Sequence, residues 1–251
     1  MIIDTHIHLY DKRYKNDLEQ IIDEAFAVDV RKMIVVGYDY ESSLAALNMA
    51  ENYDFIYAAV GLHPSEVHKE EDKEIKWLTG MLSHPRVVAV GEVGLDYYWD
   101  KTYSELQKEM FIKQIEIANN NDLPVIIHSR DASSDIYSIL KEYPTRGVLH
   151  CYSMSVELAR EFVKDGYYLG IGGVLTFKNS KEIKKVVREI DLSYLLTETD
   201  GPYLAPEPYR GRLNKPSYLV YIVEEIAKIK KLPLRDVIIQ MKNNAQKLFK
   251  I

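Results

Sequence analysis

Two histidines one residue apart, His6 and His8 in Asp4-Thr5-His6-Ile7-His8, stand near the start of the chain. On a strand, alternate side chains fall on one side about 6 to 7 Å apart, so both imidazoles can face one ion. Alone, such a pair serves equally well as metal ligands or as a polar pair used in packing. His63, Glu92, His128, His150 and Asp200 tip the reading toward metal, because each falls at the end of a short β-branched run. Of the seven histidines, only His68 and His84 lie elsewhere. Several imidazoles and carboxylates gathered in one desolvated place are costly without a cation to offset them. His6, His8, His128 and His150 with Glu92 and Asp200 exceed one tetrahedral zinc with an open position; they suit two divalent ions sharing a carboxylate. Glu92, in Gly91-Glu92-Val93-Gly94-Leu95-Asp96, is the natural bridge, with glycines that allow a sharp turn. His63 completes neither set. It is expected to donate to a leaving group or phosphate oxygen, or to fix a ligand's tautomer.

The elements that must carry these groups are eight runs: Ile2–Leu9, Met33–Gly37, Ile56–Gly61, Val87–Val93, Pro124–His128, Gly147–His150, Tyr167–Ile171 and Tyr194–Glu198. Most lack the polar alternation of a sheet with one wet face, so burial on both faces is expected. Between them apolar residues recur at helical spacing, as in Leu18, Ile21, Ile22, Ala25 and Phe26, or Leu106, Met110, Ile112, Ile115 and Ala118. Pro216 and Pro233 precede the last two helical patterns, Tyr218–Ile229 and Arg235–Phe249. Eight strand–helix repeats without a hinge predict an α/β fold, a (β/α)8 TIM barrel, in one domain over residues 1–251. In such a barrel the strand ends that carry the histidines converge on the catalytic face.

Composition narrows the partners. With 47% hydrophobic and 28% charged residues, the 251-residue chain is of ordinary globular make-up. One cysteine, Cys151, suits a reducing compartment, and neither a leader nor an apolar run long enough for a membrane is expected, so the cytoplasm is the default. A net charge of −6 argues against a broad positive surface for nucleic acid, so a polyanionic substrate would need a local site. Arg130, Arg210 and Arg212 are the arginines placed to grip phosphates. Tyr97, Tyr98, Trp99, Tyr152, Tyr203 and Tyr209 fall in strand-end loops, where aromatic faces can stack unpaired bases or plug the rim.

The segments DTHIHL, GLHPSE, GEVGLDYY, IIHSRDA, LHCYS and TETDGPYL occur in this order. With the Arg212–Asn214–Pro216 region and the terminal Asn244 and Leu248-Phe249, they resemble the TatD family of metal-dependent deoxyribonucleases over nearly the whole chain. The resemblance implies a barrel related to the amidohydrolases with two divalent ions: His6, His8 and Asp200 on one, His128 and His150 on the other, and Glu92 bridging. It also implies that Asp200 takes a proton from the attacking water, that magnesium comes before manganese or zinc, and that the substrate is DNA, as a single strand or 3′ end. No stable protein partner is implied. The chain departs from the family with Cys151-Tyr152-Ser153-Met154 after His150 and with Gly201 before Pro202, changes that touch no ligand. The rival expectation is an amidohydrolase-type deacylase or esterase on a small or aminoacyl substrate. Glu92 weighs against it, since many binuclear amidohydrolases carry a carboxylated lysine on that strand.

Overall fold

In the computed structural model, residues 1–72, 74–98 and 100–251 are described; Trp99, one of the loop aromatics considered for stacking, lies outside them. The elements run β1 (Ile2–Ile7), α1 (Leu18–Ala27), β2 (Val30–Val36), α2 (Tyr40–Asn52), β3 (Ile56–Val60), α3 (Lys76–Met81), β4 (Val87–Asp96) and α4 (Ser104–Asn120). They continue as β5 (Val125–Arg130), α5 (Ser133–Glu142), β6 (Gly147–Leu149), α6 (Val156–Lys164), β7 (Tyr168–Ile171), α7 (Lys181–Glu189), β8 (Leu195–Thr197), α8 (Leu219–Lys230) and α9 (Leu234–Phe249). The eight strands follow one another in the sheet in chain order. β1, β3, β4, β6, β7 and β8 are strongly buried along their length, as parallel strands covered on both faces must be. Among the described residues, no helix is long and apolar enough to cross a membrane.

The chain divides into two compact units, Met1–Val35 with Cys151–Ile251, and Val36–His150. In the first, β1 pairs β2 in parallel, β7 pairs β8, and Ile7 of β1 bridges Gly201 beyond β8. Helix α9 packs on β1 and β8, burying Val237, Met241, Leu248 and Phe249. From the same face Asn244 donates to the Leu192 and Leu195 carbonyls at 2.8 and 2.7 Å, fixing the entry to β8.

In the second unit β3, β4, β5 and β6 pair in parallel. Helix α4 buries Met110, Ile115 and Ala118 of the face that apolar spacing predicts, together with Phe111. Leu106 and Ile112 are only half-buried, and Gln107 and Gln114 take the inner positions. Each glutamine satisfies both backbone groups of one strand-end residue. Gln114 accepts from Leu62 N at 2.7 Å and donates to Leu62 O at 3.0 Å; Gln107 accepts from Asp96 N at 2.9 Å and donates to Asp96 O at 3.0 Å. A buried amide pair that closes a backbone donor and acceptor at once outweighs the polarity of the side chain.

β4 extends three residues past the Val93 limit read from the sequence, with Gly94, Leu95 and Asp96 paired to His128, Ser129 and Arg130. Gly94 therefore makes a close approach inside the strand, not a turn. Its φ is +136°, and a Cβ there would meet the His128 carbonyl oxygen at 2.1 Å. Glu92 and His128 consequently sit within paired strands, whereas His8, His63, His150 and Asp200 lie just beyond the ends of β1, β3, β6 and β8.

Candidate functional site

In the first unit, His6 lies next to the last residue of the fully buried β1, and its ring lies 5.1 Å from that of His8. The Nε2 atoms of His6 and His8 lie 3.8 and 3.7 Å from the same oxygen, Asp200 Oδ1. Donors about 2.1 Å from one ion stand at most about 4.2 Å apart, so this oxygen and the two nitrogens fit around a single divalent cation. His8 Nδ1 meets the Tyr10 hydroxyl at 3.1 Å, which leaves Nε2 toward the carboxylate. Asp200 has a left-handed backbone, φ +56°, that only surrounding structure can hold. Its N–H donates to the His6 carbonyl at 2.9 Å, and His8 N donates to the Gly201 carbonyl at 2.8 Å.

The residues around Asp200 are held from both sides. Asp4 accepts from Thr199 N at 2.9 Å and from Thr199 Oγ1 at 2.5 Å; burial pushes its carboxyl up to about 7 despite those bonds. Asn214, fully buried, donates to the Thr199 and Tyr203 carbonyls, both at 2.7 Å. Glu198, 1% exposed, accepts from Cys151 N at 2.5 Å and lies against Gly170, where any side chain would collide with its carboxylate. Asp4 and Glu198 carry no role in the sequence reading. Their only sequence signal is a carboxylate inside a run that must be buried.

In the second unit, Glu92 Oε1 meets three imidazoles: His128 Nδ1 at 2.8 Å, His150 Nε2 at 2.9 Å and His63 Nε2 at 3.7 Å. Burial by itself would raise the Glu92 pKa, but His150, His63 and His128 outweigh it and hold the carboxyl well below the usual range. Ligand atoms of His63, Glu92 and His128 lie within 4.8 Å of one another, close enough to share an ion. The other nitrogen of His128, Nε2, meets Asp96 Oδ2 at 3.0 Å. Although burial lowers the His128 pKa, Asp96 and Glu92 raise it overall. A histidine ligand backed by a carboxylate is the usual way a protein fixes ring orientation at a metal. Asp96 thus enters the site as the residue that orients His128, a role missed in GEVGLD because no spacing rule marks it. The fit is to an N- and O-donor set for divalent ions, one subset in each unit.

His63 is oriented by Ser65, whose N–H donates to His63 Nδ1 at 3.1 Å and whose hydroxyl sits 2.8 Å from the same atom. The ring proton then lies on Nε2, facing Glu92. Burial, with the charge of nearby His128, pulls the His63 pKa down to about 3. The ring is neutral at ordinary pH, a hydrogen-bond donor rather than an acid.

The arginines differ. Arg130 lies at the end of β5 with its guanidinium carbon 3.6 Å from the centre of the half-exposed Tyr98 ring. Arg210 is exposed and lies over Phe177 at 4.3 Å, and Arg212 is exposed on the same loop. Among the aromatics, Tyr97 donates to Asp135 at 2.8 Å, Tyr152 is buried and donates to the Ser155 carbonyl, and Tyr209 stacks on Tyr218 at 4.1 Å. Tyr98 and Tyr203 are half exposed, at 51% and 50%.

The family of TatD related DNases matches residues 3–250 of this chain. The metal-dependent hydrolase YabD of Bacillus subtilis is 44% identical, with both chains covered in full. YjjV of Escherichia coli, also named a metal-dependent hydrolase, is 33% identical over 99% of this chain and 98% of its own. The crystal structure of that TatD homologue superposes with a TM-score of 0.94, covering 100% of this chain and 98% of the other. A TatD family hydrolase from Entamoeba histolytica, 22% identical, shares the fold with a TM-score of 0.86 over 99% of this chain and 97% of its own. The fold class is therefore the (β/α)8 barrel that the alternation of elements predicts. On this match, which runs almost end to end, the chain belongs to the TatD family of metal-dependent hydrolases.

Proposed function

We propose that the protein is a deoxyribonuclease that hydrolyses phosphodiester bonds of DNA, working on single strands or 3′ ends with two divalent ions. The observation that carries this reading is Glu92, a buried carboxylate kept ionised by three imidazoles at 2.8 to 3.7 Å. Glu92 with His128 and His150 holds one ion, and His6, His8 and Asp200 hold the other. Such ions, when bound, acidify a water and polarise a phosphoryl oxygen. Asp200, 13% exposed and shared by two imidazoles, is the base that takes the proton of the attacking water. His63, neutral and with its proton on Nε2, donates a hydrogen bond to a phosphate or leaving-group oxygen. Arg130 adds a fixed positive charge for phosphate, and Arg210 and Arg212 extend that charge along the loop after β8. The match over residues 3–250 supports one hydrolase domain, and a chain with a single cysteine suits the cytoplasm.

The test is nucleotide release from 3′-labelled single-stranded DNA by metal-stripped protein, with magnesium, manganese or zinc added back. Metal-dependent release that Glu92→Ala abolishes is the expected result. No release with any ion, together with hydrolysis of aminoacyl or small acyl esters, overturns the phosphodiesterase reading in favour of a deacylase or esterase.

A further inference from the structure

Tyr203 stands three residues after Asp200, and its side chain is half exposed although its backbone is locked. Its N–H donates to the Asp200 carbonyl at 2.9 Å, and its own carbonyl accepts from the buried Asn214 at 2.7 Å. The ring lies 6.3 Å from that of His8, edge to face. A half-exposed aromatic ring is thereby held in fixed relation to the His6–His8–Asp200 set. Arg13 lies over the same ring, with its guanidinium carbon 4.5 Å from the centre. Asp11 sets the guanidinium: Nε and Nη2 donate to its two carboxylate oxygens at 2.8 and 2.7 Å, while Arg13 N donates to Oδ1 at 2.8 Å. This fork lowers the Asp11 pKa and raises that of Arg13, so both stay charged. It also uses one edge of the guanidinium, and the Tyr203 side chain is a second hydrogen-bonding partner of Arg13.

A rigid, half-open tyrosine backed by an oriented arginine is the kind of surface on which an unpaired base stacks, with the arginine adding cation–π attraction and a phosphate donor. Packing alone does not account for it. A tyrosine serving only as a plug would be buried, as Tyr14 and Tyr152 of the same unit are.

We infer that Tyr203 and Arg13 form a nucleobase subsite: the base of the nucleotide next to the scissile phosphate stacks on Tyr203, and the Arg13 guanidinium pairs with a backbone phosphate. The inference rests on the nucleic-acid reading above and specifies which part of the substrate is recognised.

Two measurements test it. The first needs no catalysis. A single-stranded oligodeoxynucleotide with 2-aminopurine at its 3′ end is titrated against chelator-treated protein, and stacking quenches its fluorescence. Quenching that Tyr203→Ala abolishes and Tyr203→Trp keeps is expected, with binding weakened about tenfold in Tyr203→Ala, within the range for loss of one stacked base. The second compares cleavage of that oligonucleotide with one carrying abasic residues at its last positions. Tyr203→Ala and Arg13→Gln are expected to raise KM on the base-bearing strand. On the abasic strand Tyr203→Ala leaves KM unchanged and Arg13→Gln still raises it. A merely structural role would move kcat on both substrates by the same factor. Absence of quenching in the unmodified protein, or equal effects of Tyr203→Ala on both strands, overturns the subsite even where DNA is cleaved. Quenching without cleavage by any ion keeps the subsite and removes the nuclease reading.

Discussion

At the scale of single residues, the groups that position ligands matter as much as the ligands. His128 has Glu92 at one nitrogen and Asp96 at the other, at 2.8 and 3.0 Å. Asp96→Asn keeps the size of the side chain but removes the negative charge that holds the ring, so we expect metal affinity to fall about 10- to 100-fold with the fold retained. Competition with a chelating dye measures that change, and unchanged affinity would remove Asp96 from the site. Gly201, the residue before Pro202, fills a place that is sterically closed to a side chain. A Cβ there would sit 2.5 Å from Tyr14 Oη, which donates to the Asn214 carbonyl at 2.5 Å inside a fully buried pocket. Gly201→Ala is therefore expected to destabilise by about 1–3 kcal/mol, as overpacking does. In the Tyr14→Phe background the same change costs less, and a double-mutant cycle in urea reads the difference. Equal costs in both backgrounds would show that the hydroxyl is not the obstacle.

At the scale of elements, α4 works as a clamp. Gln107 and Gln114 are seven residues apart, two turns of helix and about 10 Å, so they share a face and reach successive strand ends. One holds Asp96 and the other Leu62, the residue before His63. Replacing either by Leu leaves a buried N–H and C=O without partners, and each loss is expected to cost about 1–3 kcal/mol or more. The two effects should add, because they have no shared partner. Urea midpoints of the single and double variants check both statements. A second tie joins the loop after β4 to α4 and α5, where Asp135 accepts from Tyr97 at 2.8 Å and pairs with Lys108 at 2.9 Å. Lys108 and Tyr97 lower the Asp135 pKa. A group with a depressed folded pKa stabilises above its unfolded value, near 3.8, and that stability is lost as pH falls through the lower folded one. Asp135→Asn is accordingly expected to flatten the acid limb of the stability curve below about pH 4, by a fraction of a kcal/mol because the pair is partly exposed. An acid limb identical to that of the unmodified protein would count against the tie.

For the molecule as a whole, what sequence could reveal was periodic or repeated, and what it hid was local and reciprocal. The eight runs announced themselves because strands buried on both faces must be apolar throughout, and the histidines stood out because such runs rarely end in imidazole. Asp96, Asp4 and Glu198 left no such mark, since a carboxylate in a strand reads alike whether it orients a ligand or ends a ladder. The buried glutamines of α4 were hidden for a related reason: apolar spacing places glutamine outside, and only the paired backbone groups of Leu62 and Asp96 show why it lies inside. A molecule that buries this many imidazoles and carboxylates gains stability whenever a cation neutralises them, since an ion that binds the folded chain alone stabilises it by RT ln(1 + [L]/Kd). At a hundredfold excess over Kd that is about 2.7 kcal/mol per site. For 251 residues, it corresponds to a rise in Tm of roughly 5–10 °C. Thermal unfolding of the chelator-treated protein, with and without magnesium, manganese or zinc, is expected to show that rise for the ion that works. Glu92→Gln should lose much of it while the metal-free Tm stays within a few degrees. A Tm indifferent to every ion would mean that the histidines are structural, and would remove the metal from the proposed chemistry without touching the fold.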